Sequence, residues 1–267
     1  MGFAEELFEP KDWVRVRANT DGQSSFLIWR GTIYGVVPGE PKQRLFKMLG
    51  MSVARCQPES GNAWKLMSRE ISYYLDPKTE SPIHAWHNPW TKETVTVVHV
   101  ANNRVQRALN FNFPGIVTPE LTTFVVDLFA NYPNPLAQEN RFQPYSPQPF
   151  YQATELFKFI VPTEELKNSQ TSTIQLMQLT WDRGGPWLPW MKMGNHPGYL
   201  IYSAWGQKVD QFEDLPPLLK SEIQFHLTLY KNAPNFDPDQ PDMPSWLYFQ
   251  QHFEAYLNQA RFPQPEQ

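Results

Sequence analysis

Charged and titratable side chains interrupt several apolar strand patterns, and these residues of the sequence could do chemistry. Side chains alternate between the two faces of a strand, so each polar residue can be assigned to the apolar residues beside it. By this rule Glu70 lies with Leu66 and Tyr74, and Glu155 lies with Phe157. The candidates for general acid and base are Glu70, His99 and Glu155. The candidates for holding a carboxylate or an enolate oxygen are Arg30 and Arg183.

These charges have two interpretations, and the sequence leaves both open. A buried charge must be paired, so Arg30 with Glu70 and Arg183 with Glu155 could be ion pairs that tie strands together. In the other interpretation the same side chains converge on a cavity. There an arginine would bind an anion, and the carboxylates or His99 would transfer protons.

The stretch RGGPWLPWMKMGNHPG, residues 183–198, is unusually apolar for a connection between strands. Arg183 ends a strand, glycines release the backbone after it, and prolines stiffen it. One interpretation is a well-packed connection, because Trp and Met side chains usually fill a core. The other is a wall or lid that closes one end of a barrel, with Arg183 facing inward. Its large side chains are Trp187, Trp190, Met191 and Met193.

Familiar catalytic and cofactor signatures are missing from the sequence. It has no G-x-x-x-x-G-K-[ST], G-x-G-x-x-G, H-E-x-x-H, C-x-x-C or G-x-S-x-G pattern. His84 and His87 would point to opposite faces of an extended strand, which disfavours a shared metal ion. We therefore expect no cofactor and no metal site.

Charge and composition argue against several classes of protein. The formal net charge is −4 and there is no basic cluster, so nucleic acid is not an expected partner. No apolar run approaches the ~18 residues that read as a transmembrane helix, and the start MGFAEELFEP lacks the features of a signal peptide. With Cys56 as the single cysteine, no internal disulfide can form, which fits a reducing compartment. The expected location is the cytoplasm.

The elements that must position the candidate residues are mainly strands. Apolar segments separated by Pro, Gly, Asn and Asp turns occupy residues 24–105, and further strands occupy 151–210. This spacing predicts an antiparallel meander that closes into a lipocalin-like or calycin-like β-barrel, in a single domain over 1–267. A Pro- and Asn-rich crossing loop is expected over 110–150.

Two helices are predicted in the C-terminal part, residues 213–261. Asp214 can cap the first, with Pro216 in its first turn, and Ser245 can cap the second. Their apolar stripes favour packing over the barrel, and the alternative is the face of a homodimer. The stripes consist of Leu219, Ile223 and Tyr230 in the first helix and Trp246, Phe249, Phe253, Tyr256 and Leu257 in the second.

Four stretches carry a family resemblance: RGTIYGVVPGEP, REISYYLDPKT, HNPWTKETVTVVHVANN and PWLPWMKMGNHPGYLIYSAWGQKV. Over about residues 10–250 the chain resembles the bacterial DUF1838 family, a domain of unknown function found in cyanobacteria and proteobacteria. Relatives usually have NPLTGE where this chain has NPWTKE, so Trp90 and Lys92 depart from the pattern. The resemblance implies that the shared positions include Arg30, Gly31, Tyr34, Arg69, Glu70, Tyr74, Trp86, His99, Glu155, Trp181, Arg183 and the segment 186–194.

Three functions are compatible with these features. Aromatic residues form 15% of the chain and charged residues 19%, which favours a barrel that encloses an apolar or aromatic small molecule, such as a pigment or secondary metabolite. The second is a cofactor-independent isomerase, lyase or cyclase acting on an aromatic or apolar carboxylic substrate. The third is an interaction or scaffold protein. The predicted ligand-binding residues are Arg30, Tyr34, Arg69, Tyr74, Trp86, Trp181, Arg183, Trp187, Trp190, Met191 and Met193.

Overall fold

An antiparallel sheet of ten strands dominates the structure, a computed structural model that describes residues 4–264. In chain order the strands are β1 (Ala4–Phe8), β2 (Ser25–Val36), β3 (Gln43–Pro58), β4 (Trp64–Leu75), β5 (Ala85–His87), β6 (Thr94–Thr96), β7 (Val100–Leu109), β8 (Phe113–Val117), β9 (Leu121–Pro133), β10 (Phe150–Pro162), β11 (Gln178–Gly185) and β12 (Tyr199–Val209). Strands β5 and β6 form a separate hairpin. The other strands pair in the order β1-β8-β9-β10-β11-β12-β2-β3-β4-β7.

The sheet curls into a half-barrel, and strands make up 43% of the structure. The prediction of a mainly β, antiparallel fold is therefore confirmed. Strands β1 and β7 end the sheet instead of pairing with each other, so the curl stops short of a closed barrel. The inner face of the curl carries alternate residues of the long strands, most of them apolar, as expected for a sheet with one buried face.

A bulge near the middle of β7 decides which of its residues face the interior. Arg69 on β4 pairs with Asn103, but the preceding Ser68 pairs with Val105, so Arg104 is an extra residue in β7. A bulge of this kind shifts the alternation of the bulged strand by one position. As a result Asn102 and Arg107 both line the interior, although an odd number of positions separates them.

Short helices close the ends of the half-barrel. They are α1 (Pro10–Arg17), α2 (Thr163–Lys167), α3 (Pro217–Phe225), α4 (Ser245–Gln251) and α5 (Phe253–Leu257). No helix of the described residues is long and apolar enough to cross a membrane. The second of the two helices predicted in the C-terminal part is divided into two short helices, α4 and α5, which meet at His252. The predicted caps are also wrong, because Pro216 caps α3 and Pro244 caps α4.

The apolar stripes of the C-terminal helices pack inside the chain, as predicted. In α3, Leu219 and Ile223 are fully buried, and Trp246, Phe249 and Phe253 of the following helices are nearly so. They join one apolar cluster with the inner residues of β2, β3 and β4. A second cluster at the other end surrounds α1. The stripes are therefore not available as a homodimer face, apart from the half-exposed Leu257.

The crossing loop expected over 110–150 contains two strands, which corrects part of that prediction. Strands β8 and β9 occupy 113–117 and 121–133, and 134–149 is the one long stretch of this region outside strands. Thr122, Phe124 and Val126 alternate inward along β9, and this periodicity overrides the high proline content. Pro133 is the last residue of β9, a position where the missing backbone N–H of proline does not interrupt the hydrogen bonds between strands.

Candidate functional site

The interior of the half-barrel contains two adjoining cavities. The cavity on the α1 side has a volume of about 280 Å³ and is called here the aromatic cavity. Its wall is mostly apolar, with six polar side chains among seventeen lining residues. It is lined by Trp13, Arg17, Leu27, Trp29, Ser52, Leu66, Ser68, Glu70, Val105, Arg107, Leu109, Val126, Glu155, Phe157, Phe159, Leu179 and Trp181.

The second cavity, called here the polar cavity, lies toward α4 and has a volume of about 180 Å³. Trp29, Glu70, Glu155 and Trp181 line both cavities, so these residues form a waist between them. The remaining wall of the polar cavity is formed by Met48, Ser72, Tyr74, Val100, Asn102, Tyr132, Tyr151, Arg183, Leu188, Tyr202, Pro244, Ser245 and Trp246.

Glu155 of β10 is held at the waist by side chains of the neighbouring strand β11. Trp181 Nε1 donates a hydrogen bond to Glu155 Oε2 at 3.1 Å, and Arg183 Nε lies 3.7 Å from Glu155 Oε1. Arg183 also donates to the Tyr151 hydroxyl at 2.8 Å, and its guanidinium lies 4.7 Å from the centre of the Tyr202 ring. The predicted ion pair of Arg183 with Glu155 is present, and it lies inside the cavity wall. These contacts suit an ionised carboxylate.

Glu70 of β4 faces Glu155 across the interior and has a different environment. Burial raises the pKa of Glu70, and the nearby negative charge of Glu155 raises it further. Arg17 and a hydrogen bond from Asn102 act in the opposite direction without cancelling the rise. The waist therefore combines a carboxyl group whose pKa is raised with one that is paired to a cation.

Several buried polar atoms in the cavity walls have no hydrogen-bond partner within the described part of the chain. Buried polar atoms are normally satisfied, so a group of exceptions in one place indicates a missing polar partner. The guanidinium of Arg17 illustrates this, because Nη2 donates to Ser52 Oγ at 2.8 Å while Nη1 donates to nothing. The unpartnered atoms in the walls are Arg17 Nη1, Trp29 Nε1, Ser72 Oγ, Asn102 Oδ1 and Arg183 Nη1.

Trp29 is held at the waist by the absence of a side chain at Gly50. The two residues are directly paired between β2 and β3. A Cβ atom at Gly50 would lie 2.5 Å from Trp29 Nε1 and 2.7 Å from Ser72 Oγ, both far too close. Only glycine lets the indole lie flat on β3 at this point. Trp29 in turn contacts Trp181 edge-to-face, with ring centres 6.2 Å apart.

A family model of a protein of unknown function, DUF1838, matches residues 22–253. The chain belongs to the DUF1838 family. The resemblance seen in the sequence is thereby confirmed, and all strands that carry the waist lie inside the matched range. Comparison with curated proteins gives no match.

The structure of this DUF1838 chain brings part of the predicted site together. Glu70, Tyr74, Glu155, Trp181 and Arg183 all line the cavities, and Tyr74 donates a hydrogen bond to the Tyr202 hydroxyl there. Within residues 4–264, no three His, Cys, Asp or Glu side chains are grouped so that they could hold a metal ion.

The other predicted arginines and Tyr34 lie away from the cavities. Arg30 is exposed on the outer face of β2, so the proposed ion pair of Arg30 with Glu70 is wrong. Tyr34 is on the same outer face, under the ammonium group of Lys42. Arg69 points away from Glu70 and donates to Asn103 Oδ1 at 2.6 Å and to the Leu229 and Asn232 carbonyls.

His99 of the DUF1838 chain is a core residue in the connection between β6 and β7. It is fully buried, and its Nδ1 accepts a hydrogen bond from the Tyr74 backbone N–H at 3.0 Å. Burial, with a smaller contribution from His84, lowers the pKa of His99 to about 3. The imidazole is therefore neutral at physiological pH. It lines neither the aromatic nor the polar cavity.

The apolar segment 183–198 covers the α4 end of the half-barrel as part of the core. Trp187, Trp190, Met191 and Met193 are all buried in the larger apolar cluster, and Trp190 packs on Trp86. None of these four side chains lines the aromatic or the polar cavity. Leu188 is the residue of this segment after β11 that lines the polar cavity. Of the two interpretations, the well-packed connection describes these side chains, and Arg183 faces inward as predicted.

Sequence reasoning missed Arg17, Trp29, Asn102, Tyr151 and Tyr202. For Trp29 both faces of β2 are apolar, so alternation shows the pattern without showing which face is interior. Asn102 follows Val100 at strand spacing and is a polar residue among apolar ones, which is the same signal that identified Glu70. Tyr151 and Tyr202 carry no such signal, because aromatic residues are ordinary on a buried strand face.

Proposed function

We propose that this chain binds a small aromatic molecule carrying a polar oxygen group inside the half-barrel. The observation that carries the proposal is the set of unpartnered buried polar atoms around the waist, next to a cavity with an aromatic wall. Ligand sites in proteins typically have this combination of a mainly apolar wall and a few convergent polar groups.

The size of the aromatic cavity supports a molecule of moderate size. An apolar cavity of about 150 Å³ holds benzene, so the volume of about 280 Å³ fits two fused rings. Trp13 and Phe159 lie edge-to-face at one end of this cavity, with ring centres 4.7 Å apart. They offer ring surfaces on which an aromatic ligand would pack.

The waist supplies the polar contacts of the proposed complex. Trp29 Nε1 and the protonated form of Glu70, which its raised pKa favours, are donors that suit an acceptor oxygen on the ligand. Asn102 Oδ1, an acceptor without a donor among residues 4–264, is close to Glu70, which it faces across the β4–β7 pair. A hydroxyl or carbonyl group at the waist would satisfy groups that are otherwise left unpaired.

The proposal is tested by calorimetric titration of the protein with 2-naphthol, a two-ring aromatic alcohol. We expect saturable binding of one molecule per chain. Val126→Phe should weaken binding at least about tenfold, since Val126 lines the aromatic cavity and a larger side chain fills it.

Val125→Phe is the matched control for that variant. Val125 is the neighbouring residue of β9 and is 44% exposed on the outer face, so the same change there should leave the affinity unaltered. Absence of binding to the wild type, or equal binding by Val126→Phe, would overturn the proposal.

A further inference from the structure

The waist residues have the arrangement of a proton-transfer site as well as that of a binding site. Glu70 and Glu155 reach the same space, since both line both cavities, and they come from strands β4 and β10, which four strands separate in the curled sheet. Each is held by partners on its own side. Asn102 pairs with Glu70 across β4 and β7, while Trp181 and Arg183 hold Glu155 from β11. A ligand at the waist lies between the two carboxyl groups.

We propose that Glu155 and Glu70 move a proton within the bound molecule, with Glu155 as the base at a carbon beside a carbonyl group and Glu70 as the acid at the carbonyl oxygen. The inference rests on the proposed function, because it requires a ligand at the waist. It names the substrate class as an aromatic or cyclic ketone with an acidic C–H bond next to the carbonyl carbon.

The assignment of acid and base follows from the surroundings of each group. Glu155 is next to the Arg183 cation and accepts the Trp181 N–H, so it is the ionised partner that can take a proton. Burial and the charge of Glu155 raise the pKa of Glu70, which favours its protonated form. A carboxylic acid kept neutral in this way can donate a hydrogen bond to a developing oxyanion. Trp29 Nε1, which has no acceptor in the described part of the chain, is a second donor to the same oxygen.

The reaction balances without a co-reactant. Glu155 removes a proton from the carbon, and the electrons of that C–H bond form the new carbon–carbon double bond. The π electrons of the carbonyl group move to the oxygen, which takes the proton of Glu70. In D₂O the proton on Glu155 exchanges with solvent, so its return to the same carbon introduces deuterium, and return to a conjugated carbon isomerises the molecule. As the carbonyl group re-forms, the oxygen gives its proton back to Glu70, and both carboxyl groups regain their starting states.

The experiment is hydrogen–deuterium exchange at the CH₂ groups beside the carbonyl of 2-tetralone in D₂O, followed by proton NMR. This ketone has two fused rings, and 2-naphthol resembles its enol. We expect the wild type to raise the exchange rate about 100-fold or more over buffer, the usual scale of general acid–base catalysis. Glu155→Gln and Glu70→Gln should both bring the rate close to the buffer value. Glu164→Gln, a change at an exposed glutamate of α2, should not alter the rate.

Binding measurements separate this inference from the proposed function. Both waist variants should still bind 2-naphthol, which shows that they fold and keep the cavity. If 2-tetralone binds to the wild type without faster exchange, or if Glu155→Gln exchanges as fast as the wild type, the proton-transfer role is overturned and the binding role stands. If neither 2-tetralone nor 2-naphthol binds, both are overturned.

Discussion

Acid should destabilise this protein through His99. The side chain is fully buried, its Nδ1 accepts the Tyr74 N–H, and its ring lies 4.9 Å from the Tyr73 ring, between centres. Protonation would place a charge in this apolar site and remove the acceptor. Burial accordingly lowers the pKa of His99 to about 3 in the folded chain, from an ordinary value of 6.5.

The sign and size of the effect follow from the two pKa values. Below pH 6.5 the unfolded chain binds a proton at this position, and the folded chain does not until the pH reaches about 3. The contribution of His99 is complete above the unfolded value and is lost as the pH falls toward the folded value. Each pKa unit corresponds to about 1.4 kcal/mol, so the free energy of unfolding should fall by about 3 kcal/mol between pH 7 and pH 4.

Urea unfolding at a series of pH values, followed by tryptophan fluorescence, measures this loss. His99→Asn keeps an acceptor oxygen for the Tyr74 N–H and removes the titration. Whatever its absolute stability, it should lose about 3 kcal/mol less than the wild type over this pH range. His87→Asn, at an exposed histidine of β5, should follow the wild type. Parallel pH curves for His99→Asn and the wild type would refute the reasoning.

Three further predictions concern the interior. Because the pKa of Glu70 is raised above its ordinary value of 4.5, its stabilising contribution is lost as the pH rises, so Glu70→Gln should gain stability relative to the wild type between pH 4 and pH 8 in urea unfolding. Arg183→Met should cost about 3–5 kcal/mol in the same assay, because Glu155 is left buried without its cation, and adding Glu155→Leu should recover part of that loss. Lys208→Met should cost about 1–3 kcal/mol in the same assay, because Lys208 Nζ donates to the Arg15 carbonyl and to Thr173 Oγ1, each at 2.7 Å. Unchanged stability of Lys208→Met would contradict this prediction.

The sequence allowed the site to be predicted where strand alternation is regular. Glu70 and Glu155 lie in long uninterrupted strands, so the alternation of side chains between the two faces of a strand assigned each of them to its true neighbours. The rule failed at His99, because residues 97–99 are not in a strand and the alternation counted from Val95 does not continue. For Arg30 of β2, the alternation of side chains was predicted correctly, but Arg30 was assigned to the wrong face. A strand that is apolar on both faces does not show which face is interior.

The fold class was predictable for a related reason, and the closure was not. Short turns between apolar segments require antiparallel neighbours, which determines the β2–β3–β4 order. Pairings between distant segments, such as β12 with β2, depend on the packing of the whole interior. The bulge at Arg104 likewise depends on the fit of β7 to β4 and leaves no mark on local composition. Arg107 therefore enters the site through register, which only the structure supplies, whereas Asn102 also has the sequence signal of a polar residue among apolar ones.

The contact between Gly50 and Trp29 determines the width of the waist between the two cavities. Trp29 rests on β3 because no methyl group is present at position 50, and a Cβ atom there would meet the indole nitrogen at 2.5 Å. The indole would have to move toward the centre of the half-barrel, narrowing the passage between the two cavities. Position 50 touches no ligand in the proposed complex, yet it would set the largest ring system that passes the waist. Selection for a smaller ligand would thus act through one buried backbone position, moving Trp29 and leaving the two carboxyl groups of the waist unchanged.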